Sequence, residues 1–165
     1  MYTYFLDIET SKIKCDDNSL IQVTYLTNIV KMNYTNGEIS DSIFFRTIEE
    51  TLNYIHELEE CTIWCHNLDY ELTFILRDLG ETNGVKKYTK DGHEAYGIYN
   101  EELQNIILRD VHSPLSIILD QFPQITFRDS YALFNKSVAT LGEELNYPKL
   151  DYNYKVTRLP WDKLE

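Results

Sequence analysis

The sequence predicts a mixed α/β fold: a sheet with helices on its faces and a region of β-hairpins inserted into that sheet or extending it. Three observations carry this prediction. Residues 2–45 hold alternating, β-branched runs broken by the turn Asn36-Gly37. Residues 47–79 hold two amphipathic helical stretches with a short strand between them, and residues 85–127 break into several short strands.

The elements follow in order. Tyr2 to Thr10 alternates as a strand, and residues 20–30 and 38–45 complete an antiparallel three-stranded meander with it. Thr47 opens a capping box with Glu50, and Leu52, Ile55 and Leu58 follow at helical spacing. The strand Thr62-Ile63-Trp64-Cys65 belongs beside the first. Asp69 to Leu79 is a second helix, with Leu72, Ile75, Leu76 and Leu79 on one face and Gly80 as its stop. Short strands are expected around residues 86–89, 95–99, 105–109, 116–119 and 125–128. Ser137 to Leu145 is a third helix, ended by Asn146-Tyr147-Pro148, before an irregular aromatic and basic tail. Strand-strand-strand-helix-strand-helix is the order of a ribonuclease H-like core, a mixed sheet with flanking helices.

At 165 residues the chain suits one domain, able to bury roughly 70% of its unfolded surface without staples. That domain is expected to span 1–163, with Leu164-Glu165 read as a purification-tag scar. Cys15, Cys61 and Cys65 are an odd set whose spacing fits neither a zinc ribbon nor a redox motif, as for reduced packing residues in a cytosolic protein. No apolar run of membrane-spanning length is present, so no membrane partner is expected.

A formal charge of -12 argues against a generic nucleic-acid binder, which needs a basic face. The distribution matters more than the sum. Residues 1–127 carry 9 basic and 21 acidic side chains, whereas 128–163 carry 6 basic (Arg128, Lys136, Lys149, Lys155, Arg158, Lys163) and 5 acidic ones. The last part of the chain is locally able to meet a phosphate backbone, and bound divalent ions would offset the acidic excess where carboxylates gather.

Those carboxylates begin with Asp7 and Glu9. Strand side chains alternate, so these two share one face while Leu6 and Ile8 take the other. Two carboxylates about 7 Å apart repel unless a cation sits between them, and hard oxygen ligands select Mg²⁺ or Mn²⁺. The plainer alternative is an edge strand with a solvated acidic face. A second feature is His66-Asn67-Leu68-Asp69-Tyr70-Glu71, where a strand ends and a helix begins. A carboxylate on this first helical turn is placed to face Asp7 and Glu9. Read alone, Asp69 and Glu71 also suit an ordinary helix N-terminus, complementing its dipole.

Together these segments carry a resemblance. Asp7-Ile8-Glu9-Thr10 resembles the first motif of DEDD-type 3′-to-5′ exonucleases and His66 to Glu71 the second, and more narrowly both resemble the N-terminal proofreading domain of protein-primed family-B DNA polymerases of bacteriophages. Arg128-Asp129-Ser130-Tyr131 resembles the family's Asp-Ser-Leu segment, whose Ser and Leu contact single-stranded DNA, with Tyr131 in place of the leucine. Lys149-Leu150-Asp151-Tyr152-Asn153-Tyr154 reproduces its Lys-x4-Tyr spacing. The chain departs from the pattern in carrying Glu71 where the family has aspartate, which leaves Asp69 as an alternative third carboxylate. It also ends before a Tyr-x3-Asp motif, so an exonuclease domain truncated before its last motif is expected.

The resemblance implies a two-metal hydrolysis of the 3′-terminal phosphodiester of single-stranded DNA. Two Mg²⁺ or Mn²⁺ ions about 4 Å apart polarise the phosphate, activate water and stabilise the leaving oxygen. Asp7, Glu9 and Glu71 are the implied metal ligands and catalytic acids, Lys149 the group that steadies charge on the phosphate, and Tyr154 the one that orients water. Thr10, His66, Asn67, Tyr70, Ser130 and Tyr131 are the implied single-strand contacts, the aromatics by stacking. The implied partners are a single-stranded DNA 3′ end, a downstream polymerase domain and a terminal protein primer, in a bacterial host cytoplasm. Two other readings stand beside this one: a catalytically degraded module that binds single strands without cutting, and a stand-alone exonuclease acting on RNA.

Overall fold

A computed structural model describes residues 2–14, 20–79, 85–90, 93–100, 105–106, 116–119 and 121–149. It divides into two compact units, Met1–Asn135 and Lys136–Glu165. Cys15, Gly80, Tyr154 and the tail from residue 150 lie outside the described residues.

The larger unit is built on a six-stranded mixed sheet. Strands β1 (Tyr2–Lys14), β2 (Leu20–Asn33) and β3 (Ile39–Phe45) form the expected antiparallel meander, and β2 and β3 meet at the left-handed Gly37 turn. Helix α1 (Ile48–His56) starts at the predicted capping box: the Thr47 hydroxyl accepts the Glu50 N–H at 3.1 Å, and the Glu50 carboxylate accepts the Thr47 N–H. Strand β4 (Cys61–Cys65) then runs parallel to β1, through the pairs Thr3–Thr62 to Phe5–Trp64. Helix α2 (Leu68–Leu79) follows.

The hairpin region divides. Strands β5 (Val85–Lys90), β6 (His93–Asn100) and β7 (Asn105–Ile106) form a separate three-stranded sheet, with β6 lying near α2. Strands β8 (Ser116–Ile117) and β9 (Ile125–Asp129) instead extend the main sheet, β9 parallel to β4 and β8 antiparallel to β9. The order β3-β2-β1-β4-β9-β8, with two parallel pairs beside an antiparallel meander, is a ribonuclease H-like sheet. A short helix that the sequence reading did not anticipate, α3 (Ser130–Phe134), leaves β9 directly.

One face of this sheet makes the core. Leu6, Ile8, Ile29, Ile63, Ile125 and Phe127 point to the same side as Leu52 and Ile55 of α1 and Leu68, Leu72, Ile75 and Leu76 of α2, all of them buried in one cluster. Each such side chain contributes about 1.5–3 kcal/mol by leaving water. Both helices therefore cover the face to which the even residues of β1 turn. The other face, among the described residues, presents Phe5, Asp7 and Arg128 to solvent, and Arg128 lies 5.0 Å over the Trp64 ring.

The smaller unit contains α4 (Val138–Glu144), the predicted third helix. The Ser137 hydroxyl caps it by accepting the Thr140 N–H at 3.1 Å, and Lys136 grips both oxygens of Glu144 at 2.7 and 2.8 Å. The helix closes with Asn146 in the left-handed conformation and the Tyr147 N–H donating to the Gly142 carbonyl at 2.7 Å. A Cβ at Gly142 would stand 2.4 Å from the Tyr147 carbonyl oxygen, so this close only admits glycine.

Candidate functional site

Several of the predicted residues, His66, Asn67, Tyr70, Glu71, Ser130 and Tyr131, lie where β4 and β9 end and the following helices begin, whereas Asp7, Glu9 and Thr10 lie within β1, Lys149 belongs to the smaller unit and Tyr154 is outside the described residues. Alternation holds along β1: Leu6 and Ile8 are buried, Asp7 is exposed and Glu9 half-buried on the opposite side. Beyond the last β1–β4 pair the backbone N–H of Ile8 donates to the Glu71 carboxylate, carried there by the first turn of α2. Glu71 is only 3% exposed, and its Oε2 has no hydrogen-bond partner. Burial, with the negative charges of Asp7 and Asp129, pushes its carboxyl from the ordinary 4.5 up to about 8. Of the two alternatives on this turn, Glu71 is buried with its charge opposed by Asp7, and Asp69 is half-buried.

Asp129 is the member of this group that the sequence reading passed over. The burial pattern of β9 places it on the core side with Ile125 and Phe127, fully buried and paired in register with Cys65. Its Oδ1 accepts the Asn67 N–H at 3.1 Å and the Tyr131 N–H at 2.8 Å, while its Oδ2 has no partner. Its local signals were its match to the aspartate of the Asp-Ser-Leu segment and its place before a short apolar run, as an N-cap, and neither places it beside Glu71. Cys65 sits among the same charges, and burial together with Glu71, Asp129 and Asp7 holds its thiol well above the ordinary range. Burial pushes Cys61 up to about 11. Neither is a reactive thiolate, in keeping with packing roles.

The expected single-strand contacts form two small groups. His66 Nδ1 lies 3.0 Å from the Ser130 hydroxyl, which donates to the Cys65 carbonyl at 3.1 Å. With its one proton committed there, the serine oxygen accepts from Nδ1–H, which leaves His66 Nε2 as a buried acceptor with no partner. The His66 and Tyr131 rings meet edge to face, 5.5 Å apart. Asn67 supports this turn in the left-handed conformation, φ 73°, which asparagine tolerates better than most residues. In the second group the Thr10 and Tyr70 hydroxyls lie 2.6 Å apart, and Tyr70 packs edge to face on Phe74. Lys149 is an exposed residue of the smaller unit.

Among the described residues no group of three or more acidic, histidine or cysteine side chains is arranged as a ready coordination shell. The donor chemistry nonetheless fits a divalent cation. Glu71 offers a buried carboxylate oxygen lacking a partner, and burial, with the repulsion of Asp7 and Asp129 added to it, disfavours its charged form. A hard cation relieves that repulsion.

The fold is that of a ribonuclease H-like α/β domain, with two buried carboxylates, Glu71 at the start of α2 and Asp129 at the end of β9. Solved structures similar to it are those of Phi29 DNA polymerase: bound to primer-template DNA and incoming nucleotides (17% identity, 95% of this chain and 26% of that one, TM-score 0.58), bound to primer-template DNA after translocation (16%, 93% and 25%, 0.56), and bound to single-stranded DNA (17%, 95% and 26%, 0.56). The likeness is one of fold, and this chain spans about a quarter of the length of those polymerase chains. No protein-family model matches the chain, and no curated protein matches it.

Proposed function

We propose that the chain is the 3′-to-5′ exonuclease, or proofreading, domain of a phage or prophage DNA polymerase working in a bacterial cytoplasm. The single observation that carries this reading is the buried Glu71 carboxylate of α2, whose charged form is disfavoured by burial and by the charges of Asp7 on β1 and Asp129 on β9. The ribonuclease H-like sheet and the meeting of the His66 and Ser130–Tyr131 turns support it.

Asp7, Glu9 and Glu71 would hold Mg²⁺ or Mn²⁺, two ions in the complete site. When bound, these supply Lewis-acid polarisation of the phosphate, an acidified water and neutralisation of the leaving 3′-oxygen. The chain's own residues do the rest. Glu71 must lose its proton to bind a cation, so loading couples to pH in the range of its raised pKa, about 8. Tyr131 and Tyr70 offer ring faces to unpaired bases, Thr10 and Asn67 polar groups to the strand, and His66, held by Ser130, an acceptor nitrogen at Nε2. Lys149 steadies charge on the phosphate and Tyr154 orients the attacking water. A downstream polymerase domain and a terminal protein primer are the partners this reading names.

A second reading, a module that binds single strands without cutting, draws on one observation: the absence of a ready coordination shell among the described residues. The chain, and any longer polypeptide that its reading frame encodes, would be incubated with a 5′-labelled single-stranded oligodeoxynucleotide and Mn²⁺. Stepwise shortening from the 3′ end, abolished by Asp7→Ala with the fold intact, is the result expected of the exonuclease. Intact substrate with retained binding in both lengths gives the binding module instead.

A further inference from the structure

Two turns that are far apart in sequence carry most of the proposed strand contacts: His66 and Asn67 between β4 and α2, Ser130 and Tyr131 between β9 and α3. One oxygen ties them. Asp129 Oδ1 accepts both the Asn67 N–H (3.1 Å) and the Tyr131 N–H (2.8 Å), so a single fully buried side chain fixes the backbone of both turns. Only the second of these bonds is an ordinary helix cap. The first crosses between strands and holds Asn67 at its left-handed φ of 73°. Ser130 adds a second tie, from its hydroxyl to the Cys65 carbonyl and His66 Nδ1, and the His66 and Tyr131 rings meet across the junction. A short polar side chain capping α3 alone would leave the Asn67 N–H without this partner.

We infer that Asp129 is a positioning residue for single-strand binding, acting through the Asn67 and Tyr131 backbones to hold the two contact turns as one body. The inference rests on the reading of this site as one that takes single-stranded DNA. It assigns Asp129 no contact with substrate and no part in the chemistry.

Substitution separates positioning from capping. Asp129→Asn keeps a side-chain carbonyl that accepts both N–H groups. Asp129→Ser keeps a good cap for Tyr131 but is too short to bridge to Asn67. Binding of a 5′-fluorescein-labelled oligothymidylate is measured by anisotropy in EDTA, alongside thermal melting and amide hydrogen exchange. Losing a hydrogen bond to a charged acceptor predicts that Asp129→Ser weakens binding about tenfold or more, while Asp129→Asn stays within about twofold of the unsubstituted chain. Exchange at the Asn67 amide speeds up in the serine variant alone. If Asp129→Ser binds like the unsubstituted chain, or Asp129→Asn binds as weakly as Asp129→Ser, the inference falls and the proposed function stands. Collapse of the melting transition in both variants overturns it in favour of a purely structural role. An unsubstituted chain that binds no oligothymidylate removes the functional reading, and the inference with it.

Discussion

Strands β4 and β9 run side by side through two opposite environments. At their middle, Ile63 and Phe127 pair in register, fully buried within the apolar core. Two residues on, the same ladder ends in Cys65 and Asp129, and Glu71 closes over it from α2. Here burial works against the chemistry of the side chains. Asp129 and Glu71 each keep a buried oxygen without a partner, and their charges oppose one another and Asp7. A fold built for stability alone would place apolar groups at these positions, because a buried like-charge set costs free energy that packing nearby must offset. Over two residues the sheet passes from scaffold to site.

The contrast can be broken from either side. Truncating Phe127 to Ala opens a cavity beneath α2 and is expected to cost about 3–5 kcal/mol in urea unfolding; a cost below about 1 kcal/mol would mean that the middle of the ladder is not the scaffold described. At the other end, Glu71→Gln removes the opposed charge. Glu71 has a raised pKa in the folded chain, so the folded state binds its proton more tightly than the unfolded one. Its penalty is absent below about pH 4.5 and grows as pH rises towards about 8. The metal-free chain therefore loses stability across that window, and Glu71→Gln flattens the loss, with a gain on the order of 5 kcal/mol at pH 9. Urea denaturation from pH 5 to 9 reads this directly, and parallel pH profiles for the two proteins would contradict it. The smallest effect is expected at Tyr131, which is 40% exposed. Tyr131→Ala should weaken oligothymidylate binding by about 1 kcal/mol and leave Mn²⁺ affinity unchanged, and an unchanged dissociation constant would remove this ring from the strand path.

Local chemistry made much of this legible in advance. The Asp7–Glu9 alternation, the Thr47–Glu50 capping box and the apolar stripe of α2 each need only neighbouring residues to be recognised. What stayed hidden depends on long-range pairing. Asp129 joins the carboxylates because β9 lies parallel to β4 with Asp129 opposite Cys65, a contact across 64 residues that no periodicity reports. Helix α3 is five residues long and depends on the Asp129 cap, too short for a helical period to stand out. The hairpin region separated into its own sheet at β5–β7 while β8 joined the main one, and alternating residues in short strands do not choose between such partners.

The two cysteines of β4 give the protein an internal clock for the opening of this region. Cys61 is half-buried at the entry of the strand, whereas Cys65 is sealed at its exit with 1% exposure. An alkylating reagent reaches Cys65 only when the end of the ladder parts, so its rate of modification, read peptide by peptide against that of Cys61, measures how often the Cys65–Asp129 end of the sheet breathes while its middle stays shut.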